Sequence, residues 1–464
     1  MKRKLNIIFT LSLLALLSAC SDKFLEDKPE SALLPEEIIK SKADVQAALN
    51  GAYDALTNEN VFGGQMALLS ELMADGVDGA RLGNNGDWQA HYSRTTDIFL
   101  GTTRTLFNES FKAVARANFV LKYMHLAPDI NNEDKNRIEG ECKFIRAIIH
   151  FEMTRFFGQP FGYNVENSQL GIAPRLSYGN EVVNRASVAE NYNLVIKDLK
   201  EAVDQLPASN GVFANSWAAK AYLAKVYFQM NDFQNAYNYA NDVIQNSGLS
   251  LDADFSLKYK AGNEASHEII FGLVSTDYNK DNANTALQGY FKINISNNTV
   301  PIYASKTIFD EVSVVGDLRA TSWFTSKDGV TKCTKFDVAH AYTNPLVHLT
   351  EMKLIRVEAL AELNQNLSIA ISDINEIKQR AGLAPLAQDS GPAQLISEAR
   401  KERHIELYFE NNRLHELKRQ ATRGNKTLLI RGAPWDCPGL VCQLPDSELK
   451  GNPAMESNPQ GGCL

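Results

Sequence analysis

The chain has 464 residues, 44% of them hydrophobic, and 47 Lys+Arg against 55 Asp+Glu give it a formal net charge of -8. An acidic chain of this length can bury a large core in two or three domains, but it lacks the basic face that phosphate binding needs, which sets nucleic acid aside as a partner.

The first element is a processing signal. Lys2, Arg3 and Lys4 precede an apolar run from Leu5 to Leu17, and small residues lead directly to Cys20. The run is too short for a spanning helix, which needs about 20 apolar residues, and Leu17-Ser18-Ala19-Cys20 resembles a bacterial lipobox. Residues 1-19 are therefore expected to be removed and Cys20 to carry lipid, several acyl chains giving a stable anchor. Removal leaves 44 Lys+Arg against 55 Asp+Glu, a mature net charge of -11. Residues 20-40 read as the lipidated N-terminus and linker.

The body reads as amphipathic helices. Phe111, Val114, Ala115, Asn118 and Leu121 share a stripe, and Phe144 to Phe157 is apolar on nearly every side, as in a buried helix. Ser187 and Glu190 form a capping box that opens a helix ending near Pro207. Two hairpins follow the same plan. Trp217 to Met230 turns through Asn231-Asp232 into a stripe of Phe233, Ala236, Tyr237, Ala240 and Val243, and Leu354 to Leu363 turns through Asn364-Gln365-Asn366 into Leu367, Ala370, Ile371, Ile374 and Ile377. They are helix hairpins of tetratricopeptide type, with Ala236 and Ala370 where close approach is needed. Residues 248-345, rich in Asn, Gly and aromatics with one strand-like run at Ile269 to Val274, read as an irregular lobe of the kind that carries binding residues. The fold class is mostly α, a scaffold of tetratricopeptide-like hairpins bearing a loop-rich lobe, with helical part 41-247 and C-terminal part 248-464.

Five cysteines follow Cys20. In an exported protein Cys437 and Cys442, flanking a Pro-Gly, suggest a local disulfide, and the odd count leaves a thiol unpaired. A zinc site on Cys437, Cys442 and Cys463 lacks a nearby His and paired CxxC spacing.

The segment from Gly140 through Arg146, Ala147, Arg155 and Gly158 to Pro160 resembles a signature of the SusD/RagB family of Bacteroidota outer-membrane nutrient-binding lipoproteins. The likeness continues through Tyr192 to Pro207, Ala219 to Ile244, Arg356-Val-Glu358-Ala359 with Gln379-Arg380-Ala381-Gly382-Leu383, and Glu402-Arg403 through Arg413 to Arg419. It closes at Gln443 to Glu448 with Asn452-Pro453. The resemblance implies a surface-exposed, lipid-anchored outer-membrane protein that passes a glycan, or in some branches a peptide, to a SusC-like TonB-dependent transporter. Asp22, Glu26 and Asp27 resemble the family's export signal. The chain departs from the pattern in its shortness, in its Gly461-Gly-Cys463-Leu464 ending and in its Cys437/Cys442 pair, which bear on ligand class.

Sugar rings offer C-H faces to aromatics and hydroxyls to amides and carboxylates. On that ground Trp88 in the polar stretch Asn84-Asn85-Gly86-Asp87-Trp88-Gln89, and Trp323, Tyr303 and Tyr290 in the lobe, are the ligand-binding candidates together with Asn84, Asn85 and Asp87; each Trp is otherwise a core residue. Glu402, Glu406 and Glu410 are spaced four apart but surrounded by Lys401, Arg403, Arg413 and Lys418, the pattern of a charge-laced helix face rather than paired catalytic carboxylates. HExxH, GxSxG and phosphate-loop motifs are absent, the histidines are scattered, and no cofactor is expected. Asp75, Asp78 and the Asn/Asp run at 279-284 do not follow an EF-hand loop. The expected function is glycan capture without catalysis. The alternative is a peptide or protein interaction module built on the helical hairpins, and exposed aromatics rather than a charged groove would distinguish the first from the second.

Overall fold

A computed structural model of the chain describes residues 34-259, 266-274, 285-294, 296-336 and 343-463. Cys20, the rest of the leader and the run 279-284 lie outside them.

After a four-residue helical turn, α1 (Lys42–Thr57) and α2 (Gln65–Met73) lead to the short α3 (Gly86–Ser93), followed by the long α4 (Gly101–Tyr123) and α5 (Asn132–Phe157). Every residue of α5 from Phe144 to Phe157 is buried, which is why its sequence has no polar stripe. α6 (Val188–Gln205) opens on the Ser187/Glu190 capping box, the Ser187 side chain accepting from the Glu190 amide. α7 (Ser216–Gln229) and α8 (Phe233–Asn246) form the first hairpin, turning at Asn231 with φ 59°. The lobe follows, with β1 (Ile269–Val274), α9 (Thr285–Phe291), α10 (Lys306–Val312), the hairpin β2 (Phe324–Lys327) and β3 (Val330–Cys333), and β4 (Thr343–His348), which pairs antiparallel with β1.

α11 (Leu349–Leu363) and α12 (Leu367–Arg380) form the second hairpin, with Asn364 and Asn366 both left-handed at the turn. Asparagine tolerates that conformation better than most residues, so both hairpins close on it. Ala236 and Ala370 are fully buried at the helix contacts. α13 (Pro392–Glu406) joins the second hairpin in a small core of its own around Leu354, Leu360, Ile374 and Leu395. α14 (Arg413–Arg423), a two-strand ribbon at 429-434 and α15 (Asp446–Gly451) finish the chain. The main core runs from Ile39 to Met455 and takes in helices and lobe together.

The lobe is joined to α13 by charge. Arg319 donates to Asp317, Glu402 and Glu406, while Lys258 and Arg380 reach the other oxygen of Glu406 at 3.1 and 3.0 Å. These carboxylates are inaccessible, so the charge-laced face that their spacing suggested is a buried ion network whose partners come from other elements. Glu410 lies beyond the end of α13 and pairs with Lys335 and His348. The cysteine expectation is also corrected. Cys437 is bonded to Cys463, and Cys442 is a buried free thiol, as are Cys142 and Cys333. The tail folds back so that Gly462 approaches the Arg94 carbonyl, which brings Cys463 rather than Cys442 to Cys437. No helix among the described residues is long and apolar enough to cross a membrane.

Candidate functional site

The stretch around Trp88 is a helix start, not an open loop. Asn85 caps α3, its side-chain oxygen accepting from the Trp88 amide at 3.1 Å, and Asp87 accepts from the Thr102 amide at 2.8 Å. Asn84 stays exposed on the approach. These bonds hold Trp88 half-buried, edge-on to Tyr290 of α9 with ring centroids 5.8 Å apart. Burial raises the Tyr290 phenol pKa above its ordinary value, so it remains a neutral hydrogen-bonding group.

Backbone bonds link this corner to the lobe. The Ile302 amide donates to the Tyr290 carbonyl at 3.0 Å, and the Asp78 amide donates to the Tyr303 carbonyl at 3.0 Å. Arg81 lies over the Tyr303 ring at 5.8 Å and pairs with Asp78 at 3.1 Å. Trp88, Tyr290 and Tyr303, scattered over more than two hundred positions, thus come into one neighbourhood with Asn84, Asn85 and Asp87. Trp323 does not join them. It is 1% exposed, packed edge-on against Phe255 at 4.9 Å with the Lys335 ammonium 4.9 Å from its ring, and its candidacy as a ligand-facing residue is withdrawn. A large ring in a segment without helical periodicity gave no sign of which way it faced.

Beside the aromatic corner opens a cleft of about 460 Å³, within the range of small-ligand sites. Its lining includes the Asp78-Gly79 turn, Lys306 and Asp310 of α10, and Tyr92 and Arg431. The Arg431 guanidinium lies 3.8 Å from the Tyr92 ring centroid and donates to the Leu72, Ala74 and Tyr92 carbonyls. Gly79 must be glycine here, since an added Cβ would sit 1.9 Å from the Tyr92 ring. Asp75 is held by Arg413 through two bonds of 2.7 and 2.8 Å; burial alone would raise its pKa, but the guanidinium keeps it below the ordinary carboxylate value. Asp78 is engaged with Arg81, and no group of three or more acidic, His or Cys side chains among the described residues is arranged to hold a metal ion. Tyr92, Arg431 and Arg81 were missed in the sequence because they are joined to the site by contacts across as many as 339 positions.

The hollow itself is lined by the Tyr92 and Phe309 rings, the Arg431 guanidinium and the carboxylates of Asp75, Asp78 and Asp310, with the Trp88 corner next to it. It contains no nucleophile paired with a base, and Glu402 and Glu406 are closed away from it.

Two family descriptions match the chain: "Starch-binding associating with outer membrane" over residues 23-228 and the SusD family over residues 334-460. SusD-like protein P2 of Formosa agariphila is 27% identical, with 90% of each chain covered. Among solved structures, a SusD superfamily protein from Bacteroides vulgatus superposes with a TM-score of 0.76 at 21% identity, covering 91% of this chain and 99% of that one. A SusD-like carbohydrate binding protein from the same species gives 0.75 at 16% identity, covering 90% and 98%. The two family matches together show that the chain belongs to the SusD/RagB family.

Proposed function

We propose that this chain is a surface-exposed outer-membrane lipoprotein, anchored through Cys20, that binds a glycan or oligosaccharide without altering it and delivers it to a SusC-like TonB-dependent transporter. The observation that carries the reading is the contact of Trp88 with Tyr290 and of Arg81 with Tyr303 next to an open cleft, which Asp78, the ion-pair partner of Arg81, and Tyr92, on the same helix as Trp88, help to line. Aromatic faces beside a guanidinium and amides suit a sugar ring and its hydroxyls. The starch-binding family description and the carbohydrate-binding relative point the same way. Absence of catalysis is supported by the enclosure of Glu402 and Glu406 within ion pairs, where neither reaches a substrate.

The test has two arms. Cys20→Ser should move the protein from the membrane fraction to the soluble one, and retention like that of the parent would end the anchor assignment. Calorimetric titration with neutral, uronic and sulfated oligosaccharides should identify a glycan that binds and is recovered uncleaved. Binding of peptides alone would favour the interaction-module reading, and turnover abolished by one carboxylate substitution would make the chain an enzyme.

A further inference from the structure

A separate cleft of about 620 Å³ lies between α4, the segment 174-183 and α15, and shares no lining residue with the cleft beside Trp88. One wall is a chain segment without regular structure, yet its backbone is held from beneath at successive positions. Asn118 donates from Nδ2 to the Arg175 and Ser177 carbonyls at 3.0 and 3.3 Å, Arg146 donates to the Leu176 carbonyl at 3.0 Å, and Lys122 donates to the Tyr178 carbonyl at 3.3 Å. Asn118 and Arg146 are buried, and Asp198 grips Arg146 through two bonds of 2.7 and 2.8 Å. The Arg175 amide donates to His150 Nε2 at 3.0 Å, and Asn452 donates to the Val183 carbonyl at 2.8 Å.

With its carbonyls satisfied inward, this segment presents its side chains outward in a fixed geometry, which lowers the ordering cost of binding. Tyr178 is 39% exposed, and Phe119 and Tyr123 meet it edge-on at 5.2 and 6.0 Å, so its ring is propped from the protein side. Phe111 lies within the cleft, Asn180 stands at the rim, and Arg175 donates to Glu448 at 2.6 Å and to the Glu181 carbonyl at 2.8 Å. The Arg175 guanidinium and the Lys122 ammonium, which lies 5.8 Å from the Tyr178 ring, stand against the carboxylates of Glu181 and Glu448 and leave the site without excess positive charge, which disfavours uronic or sulfated chains.

The geometry points to a second binding site, in which the cleft beside Tyr178 takes an uncharged oligosaccharide, Tyr178 stacking on a sugar ring and the Arg175-Glu448 pair meeting its hydroxyls. The inference rests on the glycan reading of the chain. Two sites on one protein would let a polymer bridge both, so a polysaccharide would bind more tightly than its short fragments.

Hydrogen exchange read by mass spectrometry on the full-length protein separates the two sites. The probes are maltohexaose, laminarihexaose, cellohexaose, xylohexaose and mannohexaose at millimolar concentration. At least one hexasaccharide should slow exchange in 84-92 and also in 174-183. Tyr178→Ala should remove only the second protection and weaken binding of the parent polysaccharide by roughly tenfold. Protection at 84-92 with 174-183 unchanged overturns the second site and leaves the glycan reading intact. Protection at 174-183 that survives Tyr178→Ala also overturns it. Failure of every hexasaccharide to protect 174-183 overturns this inference, whereas the glycan reading falls only if the uronic and sulfated oligosaccharides also fail to bind.

Discussion

Replacing Arg319 with Met should destabilise the protein by about 4 kcal/mol. The side chain is inaccessible and makes four charge-assisted bonds, two to Asp317 at 3.0 and 2.8 Å, one to Glu402 at 2.6 Å and one to Glu406 at 2.8 Å. Methionine fills much of the stem volume but removes the cation. Glu406 would retain Lys258 and Arg380, whereas Glu402 and Asp317 would lose their cationic partner while remaining buried. Leaving a buried charge uncompensated costs roughly 3 to 5 kcal/mol, more than the net contribution of an intact pair. Adding Glu402→Gln should therefore recover part of the loss, by about 1 kcal/mol or more, because it removes one stranded charge. Urea unfolding followed by tryptophan fluorescence is the assay, since Trp323 lies 5.8 Å from the Lys258 ammonium beside the network. A loss under about 1 kcal/mol for Arg319→Met, or losses that simply add in the double variant, would refute the argument.

Trp323→Ala should lower stability by roughly 3 to 5 kcal/mol, as expected for a fully buried ring, while Trp88→Ala should cost less stability and weaken glycan binding about tenfold; paired melting and titration calorimetry tell the two roles apart. Burial raises the Glu71 carboxyl to about 8 from a reference of 4.5, the Phe409 amide offsetting only part of it. The native state thus holds a proton that the unfolded chain releases first, so this contribution is fully present below pH 4.5 and is lost as pH rises through 8, a span worth about 5 kcal/mol. Glu71→Gln should match the parent near pH 4.5 and exceed its stability near pH 9, and equal differences in unfolding free energy at both ends would refute the assignment. Cys463→Ser should cost about 3 kcal/mol by opening a loop of 26 residues, whereas Cys442→Ser should leave the intact protein's mass shift on alkylation under denaturing, non-reducing conditions one thiol short.

Sequence by itself determined the elements whose signals are local and periodic. The stripes of both hairpins, the Asn turns, the Ser187 capping box, the end of α5 that is apolar on nearly every side and the strand at Ile269–Val274 all stand where the pattern put them, because each depends on residues a few positions apart. The family likeness was legible for the same reason. Chain-distant encounters were decided only in the tertiary structure. Cys437 reached Cys463 because the tail folds back past Arg94, and Trp323 became core because Phe255 and the ammonium groups of Lys258 and Lys335 close around it. The carboxylates of α13 read as a face laced with charges close by in sequence, but their true partners, Arg319 and Lys258, come from the lobe and not from their own helix. Helical spacing tells which side chains share a face, but whether that face meets water or a buried cation is set by what packs on it, and that information lies elsewhere in the chain.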